Sequence, residues 1–146
     1  MKSAMVTVLV LLTTIATAQE WKANLDDALA ESRLKNKPVL LFFTVPDACD
    51  ACVSLERMVL KSESFLQYAC ERYILARIEF KNSPGQTLSA EAKAKNLLIV
   101  EKYNKDGFFP LVVLLNKSER VLGKIGVYNG ETPEEYLKML KSFEAN

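Results

Sequence analysis

From Val39 to Val45 the chain reads Val-Leu-Leu-Phe-Phe-Thr-Val, an almost unbroken apolar run. Seven residues are too few for a core helix, and a run without alternation suits a strand covered on both faces, so this strand is expected in the middle of a sheet. Upstream, Leu25, Ala28 and Leu29 form one face of a helix from about Asn24 to Lys35. Asn24 can cap that helix, and Asp26 and Asp27 suit its positive first turn. Pro38 disfavours helical angles at Lys37 and so separates the helix from the strand.

Beyond the strand, Val53, Leu55, Met58, Val59 and Leu60 are spaced for a helix with an apolar inner face. Ser62 or Ser64 restarts a shorter helix through Phe65, Leu66, Ala69 and Cys70. Tyr73 to Phe80 returns to period two, with Ile74, Ala76, Ile78 and Phe80 on one side. Leu75 breaks that alternation, and the strand is expected to be less enclosed than the first. Asn82 to Gly85 marks a loop, Ser89 caps an alanine-rich helix running to about Tyr103, and Asp106-Gly107 marks a turn. Leu111–Leu115 and Val121–Val127 flank a short turn and should pair as an antiparallel hairpin. Thr132-Pro133-Glu134-Glu135 is a capping box with proline at the first helical position, and Tyr136, Leu140 and Phe143 stripe the helix that follows. A right-handed crossover makes the first two strands parallel. The predicted fold class is α/β: a mixed sheet with helices on both faces.

Composition sets the frame for that pattern. The chain has 146 residues, 49% of them apolar and 25% charged, with five glycines and five prolines, as expected of one compact domain. Residues 1–18 stand apart. Met1-Lys2, the apolar stretch Ala4–Leu12 and the small residues Ala16-Thr17-Ala18 read as a secretory leader cleaved before Gln19, leaving a single domain over residues 19–146. The apolar stretch is short of the roughly 20 residues a membrane span needs. The expectation is an exported protein, periplasmic or secreted, with no membrane association after cleavage.

Nineteen basic residues, one of them Lys2, face eighteen acidic ones, so the mature chain is formally neutral. No basic cluster could follow a phosphate backbone, and nucleic acid is not an expected partner. Histidine is absent, which removes imidazole acid–base catalysis and most zinc arrangements. No cofactor or metal is expected, and the protein is expected to be a monomer.

Three cysteines carry the candidate chemistry. Cys49 and Cys52 follow the central strand after a short turn and open a helix, where one thiol can be exposed and the other lie behind it within bonding distance. A helix N-terminus favours negative charge by about 0.3–1 kcal/mol, enough to bring a thiol from about 8.5 to near 8. Asp47 and Asp50 oppose this, so a moderately activated thiolate is expected. A structural disulfide closing so small a loop would stabilise little, and two cysteines are half of a zinc site, so redox chemistry accounts best for the spacing. Cys70 is expected near an inner face and inert.

These features resemble the thioredoxin family, and within it exported thioredoxin-like proteins with a Lys-Pro-led strand and Cys-x-x-Cys. The likeness runs from Trp21 to Phe143. It covers Lys37-Pro38, Cys49 and Cys52, Leu55-Glu56, the strand ending at Phe80, and Tyr103-Asn104 leading to Gly107-Phe108-Phe109-Pro110. It implies the thioredoxin fold and thiol–disulfide exchange with protein thiols or disulfides, with an upstream redox protein as a second partner. It further implies Cys49 as the attacking thiol, Cys52 as the resolving one, a cis bond at Pro110, and Pro110, Phe109 and Ala48 as substrate contacts.

The departures are specific. Ala48 stands where the family usually has tryptophan, Asp50-Ala51 where Gly-Pro is common, and Phe42 or Phe43 replaces a buried aspartate that helps move the second thiol's proton. That proton would then depend on Asp47, Glu56 or water. The competing expectation is a redox-inert peptide-binding or chaperone-like module that keeps Cys49–Cys52 as a stable disulfide.

Overall fold

A computed structural model describes residues 20–81 and 88–145. The leader assigned to residues 1–18 and the loop assigned to Asn82–Gly85 lie outside the described residues. The elements run α1 (Leu25–Lys35), β1 (Val39–Thr44), α2 (Asp50–Leu55), a π-helical turn (Glu56–Leu60), α3 (Glu63–Arg72), β2 (Ile74–Glu79), α4 (Ala90–Tyr103), β3 (Leu111–Leu115), β4 (Val121–Ile125) and α5 (Pro133–Glu144).

The four strands form one sheet in the order β2-β1-β3-β4. β1 pairs parallel with β2, Val39 opposite Ile74, and antiparallel with β3, Phe43 opposite Leu111. β3 and β4 form the expected antiparallel hairpin. As its unbroken apolar run requires, β1 is central, and all six of its residues are buried. β2 is an edge strand partly covered by the N-terminal arm, where the Lys22 amide donates to the Leu75 carbonyl and the Arg77 amide to the Lys22 carbonyl.

Period-two alternation sorts the core into two layers. Leu40 and Phe42 of β1, with Leu75, Val112, Leu114 and Ile125, pack against Leu55, Val59, Leu60, Phe65 and Ala69 and against Tyr136, Leu137 and Leu140 of α5. Val39, Leu41 and Phe43, with Ile74, Ala76, Ile78, Val113 and Leu115, pack against Leu25, Ala28 and Leu29 of α1 and Tyr103 of α4. Trp21 packs on the first layer, its ring 6.0 Å from that of Phe42, so it tacks the arm to the body as expected.

The expected caps form. Asn24 Oδ1 accepts from the Asp26 amide, Ser89 Oγ from the Ala92 amide, and Thr132 and Glu135 exchange both bonds of the capping box. Three boundaries differ from the pattern reading. β1 ends at Thr44, because the turn begins at Val45; β2 spans Ile74–Glu79; β4 stops at Ile125 although the apolar pattern continues to Val127. The helix after the cysteines is also not uniform. After one and a half turns the Lys61 amide bonds back to the Glu56 carbonyl, five residues away, and the chain passes through a π turn.

Candidate active site

β1 ends at Thr44, and 45–48 turns the chain, the Ala48 amide donating to the Val45 carbonyl at 3.1 Å. Cys49 is the extended N-cap of α2, and its sulfur accepts from the Cys52 amide at 3.1 Å. A cysteine thus fills the capping role usually taken by serine or aspartate. Cys49 and Cys52 are bonded to each other, with Cα atoms 5.3 Å apart. Cys49 is half-exposed, Cys52 is fully buried, and Ala48 and Asp47 are exposed beside them.

The antiparallel register of β1 with β3 brings Pro110, one residue before Leu111, to the same end of the sheet. Pro110 is buried and the Phe109–Pro110 bond is cis. Phe109 is half-buried with its ring edge-on to Phe80 at 5.9 Å, while Phe108 is exposed. Asn104, itself buried, holds this loop from both sides. Its Nδ2 donates to the Phe108 carbonyl at 2.8 Å and its Oδ1 accepts from the Phe108 amide at 2.9 Å. Gly107 makes the turn between them at φ +68, a backbone angle that side-chain-bearing residues rarely adopt. The structure therefore brings Cys49, Cys52, Ala48, Phe109 and Pro110 to one end of the sheet.

Cys70 is not among them. It is half-exposed on α3, and its carbonyl accepts from Lys37 Nζ at the start of β1, the opposite end of that strand from Cys49. The inner-face placement expected of it is only half met, because α3 turns Phe65 and Ala69 inward and leaves Cys70 at the edge of that face.

The two layers also decide which phenylalanine lies under the cysteine helix. Phe42 faces the layer of α2, and Phe43 faces α1 and α4. Thr44 lies on the Phe42 side and is fully buried. On the same side, opposite Phe42 in β2, stands Arg77. Its guanidinium lies 5.5 Å from the Phe42 ring and 5.0 Å from the Trp21 ring, and it grips Glu56 through two hydrogen bonds of 3.1 and 3.2 Å. Burial alone would raise the Glu56 carboxyl, but hydrogen bonds from Arg77 and Lys61 outweigh it and hold the group below its ordinary 4.5. Glu56 is thus a fixed negative charge and a weak proton acceptor. Sequence reasoning singled out Glu56 and missed Arg77, although a lone cation in the otherwise apolar stretch Ile74–Ile78 was a readable signal. It also gave no role to Asn104, whose clamp depends on where the following turn folds back.

Known proteins match this arrangement. A family model described as thioredoxin-like matches residues 20–117. A disulfide bond reductase, DsbH, of Chlamydia pneumoniae is 28% identical over 104 residues, covering 71% of this chain and 61% of the relative. The thioredoxin-related protein DsbJ of the same organism is 25% identical over 112 residues, 77% of this chain and 31% of the relative. The chain thus spans less than two thirds of either curated relative. A solved DsbH oxidoreductase structure superposes with a TM-score of 0.76 at 26% identity, covering 94% of each chain. With the matched model spanning β1, both cysteines, the cis-proline and β3, this chain belongs to the thioredoxin-like family.

Proposed function

We propose that this protein is a thiol–disulfide oxidoreductase that exchanges disulfides with protein thiols through Cys49 and Cys52. The observation that carries the proposal is the asymmetry of the pair: a half-exposed Cys49 sulfur capping α2, backed by a fully buried Cys52. In the reducing direction, the one named for the Chlamydia DsbH relative, the Cys49 thiolate attacks one sulfur of a substrate disulfide. The Cys49–substrate bond forms, the substrate disulfide breaks, and the leaving thiolate takes a proton from water. Cys52, deprotonated, then attacks Cys49; the Cys49–Cys52 bond forms and the second substrate thiolate leaves. Two electrons pass from the enzyme dithiol to the substrate, and an upstream redox protein restores them. Phe109, Pro110 and Ala48, at the same end of the sheet, position the substrate chain, with the backbone of Phe109 free to pair with an extended segment.

Residues 1–18 as a cleaved leader place this chemistry outside the cytoplasm, in a periplasm or beyond the cell, and leave a single monomeric domain from Gln19. The N-terminal sequence of the exported protein tests this; it should begin at Gln19.

A Cys52→Ala variant tests the chemistry. It should accumulate mixed disulfides through Cys49 that run as reducible adducts on a non-reducing gel. Their absence, with no disulfide reduction by the unaltered protein in vitro, would leave the redox-inert binding module as the better reading.

A further inference from the structure

Between the N-terminal arm, the end of β2 and the first two turns of α4 lies a cavity of about 410 Å³, open to solvent on one side. Its origin is α4, of whose described side chains only Tyr103 is buried. Ala90, Ala92 and Ala94 give the early turns little bulk, and Leu97 is left 61% exposed, with Leu88 just ahead of the helix at 41%. Among the described residues these two leucines line the cavity together with the half-buried rings of Trp21 and Phe80. Leucines scattered singly on a surface need no explanation, but leucines gathered with aromatic rings around one concavity mark a binding site. The volume falls in the range of about 300–1,000 Å³ that small-molecule sites occupy. Neither cysteine lines it, nor do Ala48, Phe109 and Pro110.

Charge narrows the ligand. Arg77, Lys81 and Lys93 line the cavity against Glu79. Lys81 meets Glu79 at 2.9 Å, and Arg77 is held by Glu56 at 3.1 Å. Three cations against these two carboxylates leave a surplus of one, and it sits on Lys93, which pairs with no carboxylate among the described residues. Arg77 also keeps one buried donor, Nε, without an acceptor among the described residues, a polar group at the cavity wall that the fold leaves unpaired.

We infer that this cavity binds a free medium-chain fatty acid as its anion, the alkyl chain lying against Trp21, Phe80, Leu88 and Leu97 and the carboxylate at Lys93. The apolar wall calls for a hydrocarbon chain, and the single surplus positive charge calls for a monoanion. Trp21 and Phe80 are half-buried, so a single chain that enters fits better than a lipid surface resting on the exposed rim. The inference goes beyond the oxidoreductase reading and does not rest on it.

Trp21 is the only tryptophan of the chain, so its emission reports on the cavity directly. Hexanoate, octanoate and decanoate, each below its micelle-forming concentration, are titrated into the oxidised exported protein at neutral pH. The emission should shift to shorter wavelength and saturate. Affinity should rise about fourfold per buried methylene, roughly fifteenfold for each two-carbon step. Lys93→Glu should weaken decanoate about fivefold and reverse the preference for decanoate over decylammonium. Leu97→Glu, at a position exposed enough to accept it, should abolish saturation, and disulfide exchange should be unchanged in both variants. Emission that does not saturate with decanoate, affinity independent of chain length, a preference for decanoate that survives Lys93→Glu, or wild-type binding by Leu97→Glu overturns the inference. So does emission that shifts with phosphatidylglycerol vesicles and not with decanoate, which would make the groove a membrane contact. A wild-type protein that binds decanoate but exchanges no disulfides fails the oxidoreductase reading and upholds the fatty-acid site.

Discussion

Gly123 sits in the middle of β4, where glycine ordinarily weakens a strand, and its neighbourhood explains it. A Cβ built there would lie 2.2–2.4 Å from three ring atoms of Phe143, one of them Cγ, against 3.4–4 Å for ordinary contact. Since Cγ is the root of the ring, the clash is not relieved by moving a flexible tip; the ring must change rotamer or α5 must lift from β4. Forcing one extra carbon into a packed contact costs about 1–3 kcal/mol. Alanine returns about 0.5–1 kcal/mol by restricting the unfolded chain. Gly123→Ala should therefore lose about 1–2 kcal/mol, read by urea unfolding as a lower midpoint at unchanged slope. The cause is isolated by a double-mutant cycle: in a Phe143→Ala background the same substitution should be neutral or slightly stabilising, a coupling of about 1–3 kcal/mol. Equal losses in both backgrounds, or no loss in the wild type, would refute Phe143 as the reason for the glycine.

Two further expectations concern stability. Thr132→Ala, which breaks the hydrogen bond from the Glu135 amide at 3.2 Å and dismantles the capping box of α5, should cost about 1 kcal/mol in urea unfolding. Glu56 makes stability depend on acid. Its folded carboxyl is held below the unfolded value, so its contribution is fully present above about the unfolded 4.5 and is lost as pH falls through the lower folded value. The stability gap between wild type and Glu56→Gln should accordingly narrow below that pH, and a gap that is constant down to strongly acid solution would contradict the ion pair.

The order of elements, the central position of β1, the helix caps and the Cys49–Cys52 pair at a strand-to-helix junction followed from the sequence, because each rests on neighbours within a few residues. Alternation tells that Phe42 and Phe43 face opposite ways, and a capping box or an unbroken apolar run carries its own geometry. The fate of each face does not. Only the tertiary structure decided that Phe42, not Phe43, lies under the cysteine helix, since that depends on which helices cover which side of the sheet. It likewise joined Glu56 to Arg77 across 21 residues of chain and set Gly123 beneath Phe143. Pro110 could be matched to the family's cis-proline from its motif, but its placement beside the cysteines is a matter of register between β1 and β3. The sulfurs were legible because they are two residues three apart in the chain; the Glu56–Arg77 pair was not, because its members meet only when a helix packs on a strand.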